Sequence, residues 1–448
     1  MSKRVIIVGA GLVGSLLAIY LRRRGYEVNI YERRGDMRQQ SLVAGRSINL
    51  ALSDRGIRAL EEVGAMDHIR PIAIPMHGRQ IHQPDGKEVY QPYGKTGQYI
   101  NSVSRGELNK TLMTLAEQSG ARIHFQYRCL QVDWSANQFV FEKSDGSEVR
   151  VAGDLVFAAD GAFSAARLQY QLQHDRFQYQ QSYIDFGYKE LTIPAGANGQ
   201  FQMEPNALHI WPRKNYMLIA LPNPDGSFTC TLFFPFEGDP SFSSLQSDEQ
   251  ILNFFHAQFS DATALMPDIL SQYRNNPTAS LVTVKCYPWV LEDRFALIGD
   301  AAHAIVPFFG QGMNCGFEDC FVLNTLMEKH GSDWKALLQE YQSLRKPDGD
   351  AIAELALNNF LEMRDRVANP RFLLQKKIEA KIHSQYPDQW VPAYAQVTFS
   401  PHIRYSEALV NSLKQEAIMQ QLMARPDIES VWESPEVEAW VIDKLHKR

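Results

Sequence analysis

The first 32 residues constrain this fold more than any other stretch of the chain. Residues 5–8 (VIIV) are apolar and strand-favouring, and Gly9 follows them directly. From Leu12 the apolar positions change to helical steps, at Leu12, Leu16, Ile19 and Tyr20, and Glu27–Glu32 (EVNIYE) returns to a strand pattern. Between the first strand and the helix stands Gly9-Ala10-Gly11-Leu12-Val13-Gly14, a GxGxxG run, and Glu32 closes the second strand. Glycines at these points allow a tight turn and a close backbone approach to a pyrophosphate, while the helix N-terminus offers unpaired N–H groups to the anion. A carboxylate at Glu32 can accept a hydrogen bond from a ribose hydroxyl and disfavours a 2′-phosphate. The spacing predicts a β-α-β site for the adenosine half of FAD or NAD. The plainer alternative is a glycine-rich turn with no ligand.

The remainder bounds the setting. A length of 448 residues suggests two or three compact units. With 45 Lys and Arg against 51 Asp and Glu, the net charge is −6, so no general attraction to nucleic acid or anionic lipid is expected. The five cysteines, Cys129, Cys230, Cys286, Cys315 and Cys320, include no CxxC pair. They read as reduced thiols in a reducing compartment, with no metal site. The apolar run 5–21 after Lys3 and Arg4 resembles a signal or a short span, but it contains Gly9, Gly11 and Gly14 and leads into Arg22, Arg23 and Arg24 rather than a cleavage site. A soluble, cytoplasmic protein without a membrane anchor is expected.

Helices are predicted over 56–63 and 107–118, strands over 122–125 and 130–134, a hairpin over 139–142 and 148–151, and a buried strand over 155–158 that ends at Ala159-Asp160-Gly161. Strand-like pieces then dominate residues 184–290, at 188–193, 207–211, 217–221, 228–234 and 281–286, which predicts a mostly antiparallel sheet. A buried strand over 295–298 and helices over 316–329, 334–344, 350–366 and 406–424 follow. The expected fold class is α/β (α+β overall): a Rossmann-like FAD-binding domain, an inserted mostly antiparallel β-sheet substrate domain and a C-terminal helical region. The expected boundaries are 1–180 for the first part of the FAD-binding domain (with substrate-domain strands near 72–103), 181–290 for the sheet, 291–330 for the second FAD-binding part and 331–448 for the helical region.

Two further motifs specify the dinucleotide. Residues 296–303 (ALIGDAAH) are a strand ending in Gly299-Asp300, and 306–314 (VPFFGQGMN) precede a helix. An aspartate at a strand end can bond a ribityl hydroxyl, and helix N–H groups from Gly312 to Asn314 can face an electron-rich isoalloxazine edge. Together with Asp160-Gly161, and in this order, these pieces resemble the FAD-dependent aromatic hydroxylases, single-chain flavoprotein monooxygenases. Longer strings, 45–53 (GRSINLALS), 208–212 (LHIWP), 219–223 (IALPN), 309–314 (FGQGMN) and 394–400 (YAQVTFS), resemble the branch of that family that acts on kynurenine. The similarity runs from about Arg4 to about Ala408.

The resemblance implies that FAD contacts Gly9, Gly11, Val13, Gly14, Glu32, Arg33, Ala51, Arg105, Leu130, Asp300, Met313 and Asn314. It implies that Arg79 and Tyr93, with Asn359 and Tyr394, hold the amino-acid carboxylate of L-kynurenine; from its own sequence context alone, Arg79 reads as a solvated strand residue. Glu362 and Met363 are weaker candidates for lining the site. The implied reaction is ring hydroxylation beside the amino group, with NADPH and O2 consumed, through a flavin C4a-hydroperoxide, in tryptophan degradation. The flavin carries the chemistry, so no catalytic side chain and no metal are expected. Animal members continue into a hydrophobic C-terminal segment, whereas the last forty residues here are polar and charged. Phe309 stands where some bacterial relatives have histidine, which implies an apolar wall, and Ala165 is given no cofactor role. The alternatives are hydroxylation of a phenol or quinolone, a non-oxygenating FAD reductase or oxidase, and a non-catalytic flavin-fold interaction protein.

Overall fold

The computed structural model describes residues 3–39, 49–93, 97–365 and 370–447. Residues 45–48 of the 45–53 string, the Met363 side chain and the end of the helix expected over 350–366 lie outside the described residues.

A six-stranded sheet forms one half of the core, in the order Val290–Leu291, Phe295–Leu297, Leu155–Ala158, Arg4–Val8, Glu27–Glu32, Arg122–Phe125. Its pairs are parallel apart from the Val290–Leu291 edge. Parallel strands are covered on both faces and so read as unbroken apolar runs; VIIV and Leu155–Ala158 are buried throughout. The helices Leu12–Arg23, Arg105–Gln118 and Gly312–His330 pack in the same apolar cluster. The crossover from the first strand through Leu12–Arg23 to Glu27–Glu32 is the predicted β-α-β unit.

The second large sheet has seven strands, in the order Thr278–Tyr287, Gln178–Ile193, Phe228–Pro235, Tyr216–Pro222, Ala207–Arg213, Gly78–His82, Glu88–Pro92. It is antiparallel except where Ala207–Arg213 meets Gly78–His82 in parallel. Its side chains form a separate core with Phe254, Phe255 and Phe259. Two three-stranded sheets complete the β structure, one of them joining Asn49–Leu52, Ile100–Ser104 and Ala73–Met76.

Several elements differ from expectation. The strand expected over 188–193 extends back to Gln178, because the polar Gln178–Tyr183 stretch pairs with Thr278–Tyr287 across an irregular register near Gly187. The helix expected from 316 begins at Gly312, since Gln311 serves as its N-cap and left-handed Gly310 before it makes the turn. The helices expected over 334–344 and 350–366 are one helix, Trp334–Asp365, that runs through Pro347. Proline removes a backbone hydrogen bond, but buried Arg345 and Asp348 on either side of it are ion-paired with each other and Arg345 with Glu318 and Asp319. Helices Asp248–Gln258, Ile269–Asn275, Pro370–Gln385 and Pro435–His446 were not expected. The C-terminal polar stretch nevertheless builds its own apolar cluster around Trp390, Ile418, Val437 and Val441. All five cysteines are buried and unpaired. Among the described residues, no helix is long and apolar enough to cross a membrane.

Candidate active site

The glycine turn sits at the carboxyl end of the central strands. Gly9 has φ +101°, and a Cβ there would lie 2.7 Å from the Ala159 carbonyl oxygen. A Cβ on Gly14 would lie 2.1 Å from the Gly9 oxygen, so the strand–helix contact itself requires that glycine. Gly11 differs: it caps the helix Leu12–Arg23, and a Cβ there would meet nothing within 4 Å. Protein packing does not demand this glycine, whereas a phosphate passing close to the backbone would.

Glu32 is buried beside this turn. Its Oε2 accepts from the Ala10 N–H (2.9 Å), and its Oε1 accepts from the N–H and Nε of Arg34 (2.9 and 2.8 Å). Burial opposes ionisation, yet the Arg34 and backbone donors outweigh it and hold the carboxyl below its ordinary range. A carboxylate has about four acceptor sites, so room for a ribose hydroxyl remains. Arg34 makes this ion pair, while Arg33 is exposed.

The Asp160-Gly161 and Gly299-Asp300 turns lie side by side. Arg167 donates to the Ala162 oxygen (2.6 Å) and to the Ala301 oxygen (2.8 Å), tying the loop after Asp160 to the helix that starts at Asp300. Gly299 has φ +60° and packs on Val13, which also meets Gly316. The Asp300 carboxylate has no partner among the described residues. The Asn314 side chain makes three hydrogen bonds: Oδ1 accepts from the Ser53 N–H (3.0 Å), and Nδ2 donates to the Ala51 and Gly310 oxygens (2.8 and 2.9 Å). It therefore staples the strand Asn49–Leu52 to the turn before Gly312, with both amide hydrogens spent within the protein. Met313 is buried, Leu130 half-buried, and Arg105 is the exposed first residue of its helix.

The other predicted set comes together above this turn. Phe309, Tyr394 and Tyr93 form a stack, with centroids 5.6 Å (Phe309–Tyr394) and 5.8 Å (Tyr394–Tyr93) apart. The Arg79 guanidinium carbon lies 4.3 Å from the Tyr394 ring centre and 5.4 Å from that of Tyr93. Among the described residues Arg79 forms no ion pair, and its buried Nε and the Tyr93 hydroxyl have no hydrogen-bond partner. Burial first, then the neighbouring Tyr394, push the Tyr93 phenol well above its ordinary value, so it remains a neutral donor. A buried cation and a donor hydroxyl left without an anion fit a carboxylate. Asn359 donates to the Phe308 oxygen (2.7 Å), holding the Phe308–Phe309 turn, and Phe308 stacks on Phe360 at 4.4 Å. Glu362 pairs with Lys376.

Sequence reasoning missed the strut beneath this set. Arg55, fully buried, donates to the oxygens of Val397 (2.7 Å), Gln396 (3.2 Å) and Ile403, and pairs with Glu318 (2.8 Å). It joins the helix Ala393–Phe399, which bears Tyr394, to the helix that starts at Gly312. Glu318 also pairs with Arg58 and Arg345. Buried Tyr405 donates to Gln311 Oε1 (2.9 Å) and lies under Arg55. In sequence these residues read as ordinary helix-surface charges, and no local pattern marks them. His303, Cys315 and Asp319 come close enough to hold a metal. However, the Arg345 guanidinium lies 2.7 Å from Asp319 and 3.3 Å from the Cys315 sulfur and supplies the cation there itself.

The FAD binding domain family matches residues 2–356. The kynurenine 3-monooxygenase of Flavobacterium johnsoniae is 49% identical, with 100% of this chain and 99% of that protein covered. That of Myxococcus xanthus is 50% identical (93% and 90% covered), and that of Sus scrofa 44% (91% and 86%). Among solved structures, the tetrameric form of 2-methyl-3-hydroxypyridine-5-carboxylic acid oxygenase superposes with a TM-score of 0.66 at 21% identity, covering 82% of this chain and 94% of that one. Pseudomonas aeruginosa PqsL in complex with 2-aminobenzoylacetate gives 0.65 at 20% identity, covering 82% and 98%. Fold and site together define an FAD-dependent flavoprotein of the aromatic-hydroxylase class. Within that class, the chain belongs to the kynurenine 3-monooxygenase family.

Proposed function

We propose that the chain hydroxylates L-kynurenine beside its ring amino group, giving 3-hydroxykynurenine, with NADPH as electron donor and O2 as oxygen donor. The observation that carries this reading is the buried Arg79 head, flanked by Tyr93 and Tyr394 and lacking an anion partner among the described residues. In the overall balance the ring C–H becomes C–OH, the second oxygen atom leaves as water, and NADPH and one proton are consumed. Bound FAD would supply the two-electron exchange with NADPH and the activation of O2.

The residues of this chain bind, orient and exclude water. Gly9, Gly11, Val13, Gly14, Glu32, Arg33, Ala51, Arg105, Leu130, Asp300, Met313 and Asn314 would hold the FAD. Arg79 and the Tyr93 hydroxyl would fix the substrate carboxylate, Tyr394 would carry the Arg79 cation on its ring face, and Asn359 would hold the Phe308–Phe309 turn as an apolar wall. The aniline nitrogen of the substrate makes its own ring electron-rich, so no side chain has to act as acid or base. In this reading 1–180 and 291–330 serve the flavin, 181–290 the substrate, and 331–448 close the site. Unpaired, buried cysteines fit a cytoplasmic setting.

The test is NADPH oxidation by the FAD-loaded protein with candidate aromatics. L-kynurenine should accelerate it strongly, while phenols and quinolones should not. Acceleration by a phenol or quinolone but not by kynurenine would replace this reading with another hydroxylase.

A further inference from the structure

Side chains alternate along the strand Gly78–His82. Arg79 faces Tyr93 and Tyr394, and His82 faces the other way. There His82 meets His209 of the parallel neighbouring strand, whose Leu208 is in register with Arg79. Their ring nitrogens form one hydrogen-bonded row. Asp261 Oδ2 lies 2.8 Å from His82 Nδ1, His82 Nε2 lies 2.9 Å from His209 Nδ1, and His209 Nε2 lies 2.9 Å from the Glu204 carbonyl oxygen. Trp211 Nε1 donates to the same Asp261 oxygen (2.8 Å), and its ring stacks on His82 at 4.0 Å. His82 is 5% exposed and His209 2%.

Counting protons along the row gives an unexpected charge. An ionised carboxylate and a carbonyl oxygen, at its two ends, can only accept. His82 Nδ1 and His209 Nε2 must therefore both carry hydrogens. Two neutral imidazoles would then have no hydrogen left for the inner nitrogens, whose lone pairs would face each other. The inner contact is a hydrogen bond only if a third proton lies in it.

We propose that His82 and His209 share one proton beyond neutrality, and that this charged pair is a positioning group that fixes the strand Gly78–His82, and Arg79 with it, for the substrate carboxylate. The second half rests on the function proposed above; the proton count does not. The surroundings favour a positive charge. Asp261 comes from the helix Ser260–Ala264, and Glu88 from the neighbouring strand brings a carboxylate oxygen to 3.8 Å from His82 Nδ1. Glu204 adds a carboxylate that accepts from the Asn206 N–H. Opposing them is Arg213, which donates to the His82 carbonyl (3.0 Å), and His77 lines the same space. Burial pushes His209 down to about 4. Asp261, despite its own burial, is held down to about 2 by its bonds from His82 and Trp211. A cavity of about 480 Å3, lined by Gln80, Glu88, Glu204 and both histidines, opens beside the pair and gives the proton a route to solvent.

When the extra proton leaves at high pH, the inner lone pairs repel, the rings must part, and the two strands lose the side-chain link between His82, three residues from Arg79, and His209, in register with Gln80. Substrate affinity should weaken with it. The experiment has two arms, both on the FAD-loaded full chain. In the first, nitrogen-15 NMR of the imidazoles is recorded at neutral pH, with His82→Gln and His209→Gln used for assignment. Three protonated nitrogens across the two rings are expected; two, one per ring, would overturn the shared proton. In the second, the KM for L-kynurenine is followed from about pH 6 to about pH 9, across which an unpaired histidine loses its charge. In the parent KM should rise at least about threefold beyond the change seen in His209→Gln, because a glutamine amide donates both to a neutral His82 and to the Glu204 carbonyl and needs no extra proton. Identical pH profiles would overturn the positioning role. If His209→Gln does not fold, the NMR count in the parent still decides the proton. A parent that holds three protonated nitrogens but never turns over kynurenine would overturn the functional reading and the positioning role, and leave the charged pair standing.

Discussion

Replacing Arg79 by alanine is the sharpest test of the substrate set. The guanidinium is enclosed between Tyr93 and Tyr394, 5.4 and 4.3 Å from their ring centres, and its Nε lacks a partner among the described residues. A bound carboxylate would complete a desolvated ion pair, and Arg79→Ala would strand that carboxylate. Removing one member of such a pair costs about 2–5 kcal/mol, which at about 1.4 kcal/mol per decade is roughly 30-fold or more in affinity. Arg79→Lys should recover only part of this, because an ammonium gives neither two parallel N–H bonds nor a planar face for Tyr394. The assay is steady-state kynurenine kinetics alongside FAD titration. KM should rise steeply, FAD affinity should hold, and NADPH oxidation should lose its response to kynurenine. An Arg79→Ala protein with the parental KM would refute the assignment and leave the flavin site untouched.

Other outcomes follow from the same geometry. Glu32→Ala should weaken FAD roughly 10- to 150-fold, the loss of one charged hydrogen bond of about 1.5–3 kcal/mol, with turnover per bound flavin little changed; fluorescence titration of FAD measures it. Arg55→Met should cost about 3–5 kcal/mol in urea denaturation, since it leaves buried carbonyls and a share of the Glu318 charge unpaired. Burial pushes His209 down to about 4 from its ordinary 6.5, so as pH falls the unfolded state takes up a proton at this residue first. The His209 contribution to stability should therefore be full above about pH 6.5 and be lost by roughly 2–3 kcal/mol towards pH 4, with the drop reduced in His209→Gln. Acid precipitation should release yellow FAD from the chain; flavin retained on the denatured protein would mean a covalent link.

The nucleotide half of the site was legible because its demands are local. A strand, a glycine turn, a helix and a closing acid all fall within 32 residues, and Gly9 and Gly14 are required by backbone contacts that only glycine permits. The substrate half is assembled across the chain: Arg79 and Tyr93 lie some 300 residues from Tyr394 in sequence. No periodicity links them, and Arg79 alone reads as a solvated strand residue; the long strings shared with a known family pointed to it. Arg55, Glu318 and Arg345 were illegible because burial, not spacing, makes them a network. The break expected between 344 and 350 is absent for the same reason: the helix runs through Pro347 with buried ion pairs on either side. The resemblance implies Asn314 as a flavin contact, and its amide also bonds Ser53, Ala51 and Gly310, a role in the turn that no local pattern marks.

The central claim, that one oxygen atom is transferred to the kynurenine ring, is tested most directly by isotope labelling. The FAD-loaded protein would be given NADPH, L-kynurenine and oxygen-18 gas, and the products weighed by mass spectrometry. The account predicts 3-hydroxykynurenine carrying a single heavy oxygen, formed in proportion to the NADPH consumed. NADPH consumed with only hydrogen peroxide formed, or a hydroxyl oxygen derived from water, would contradict it.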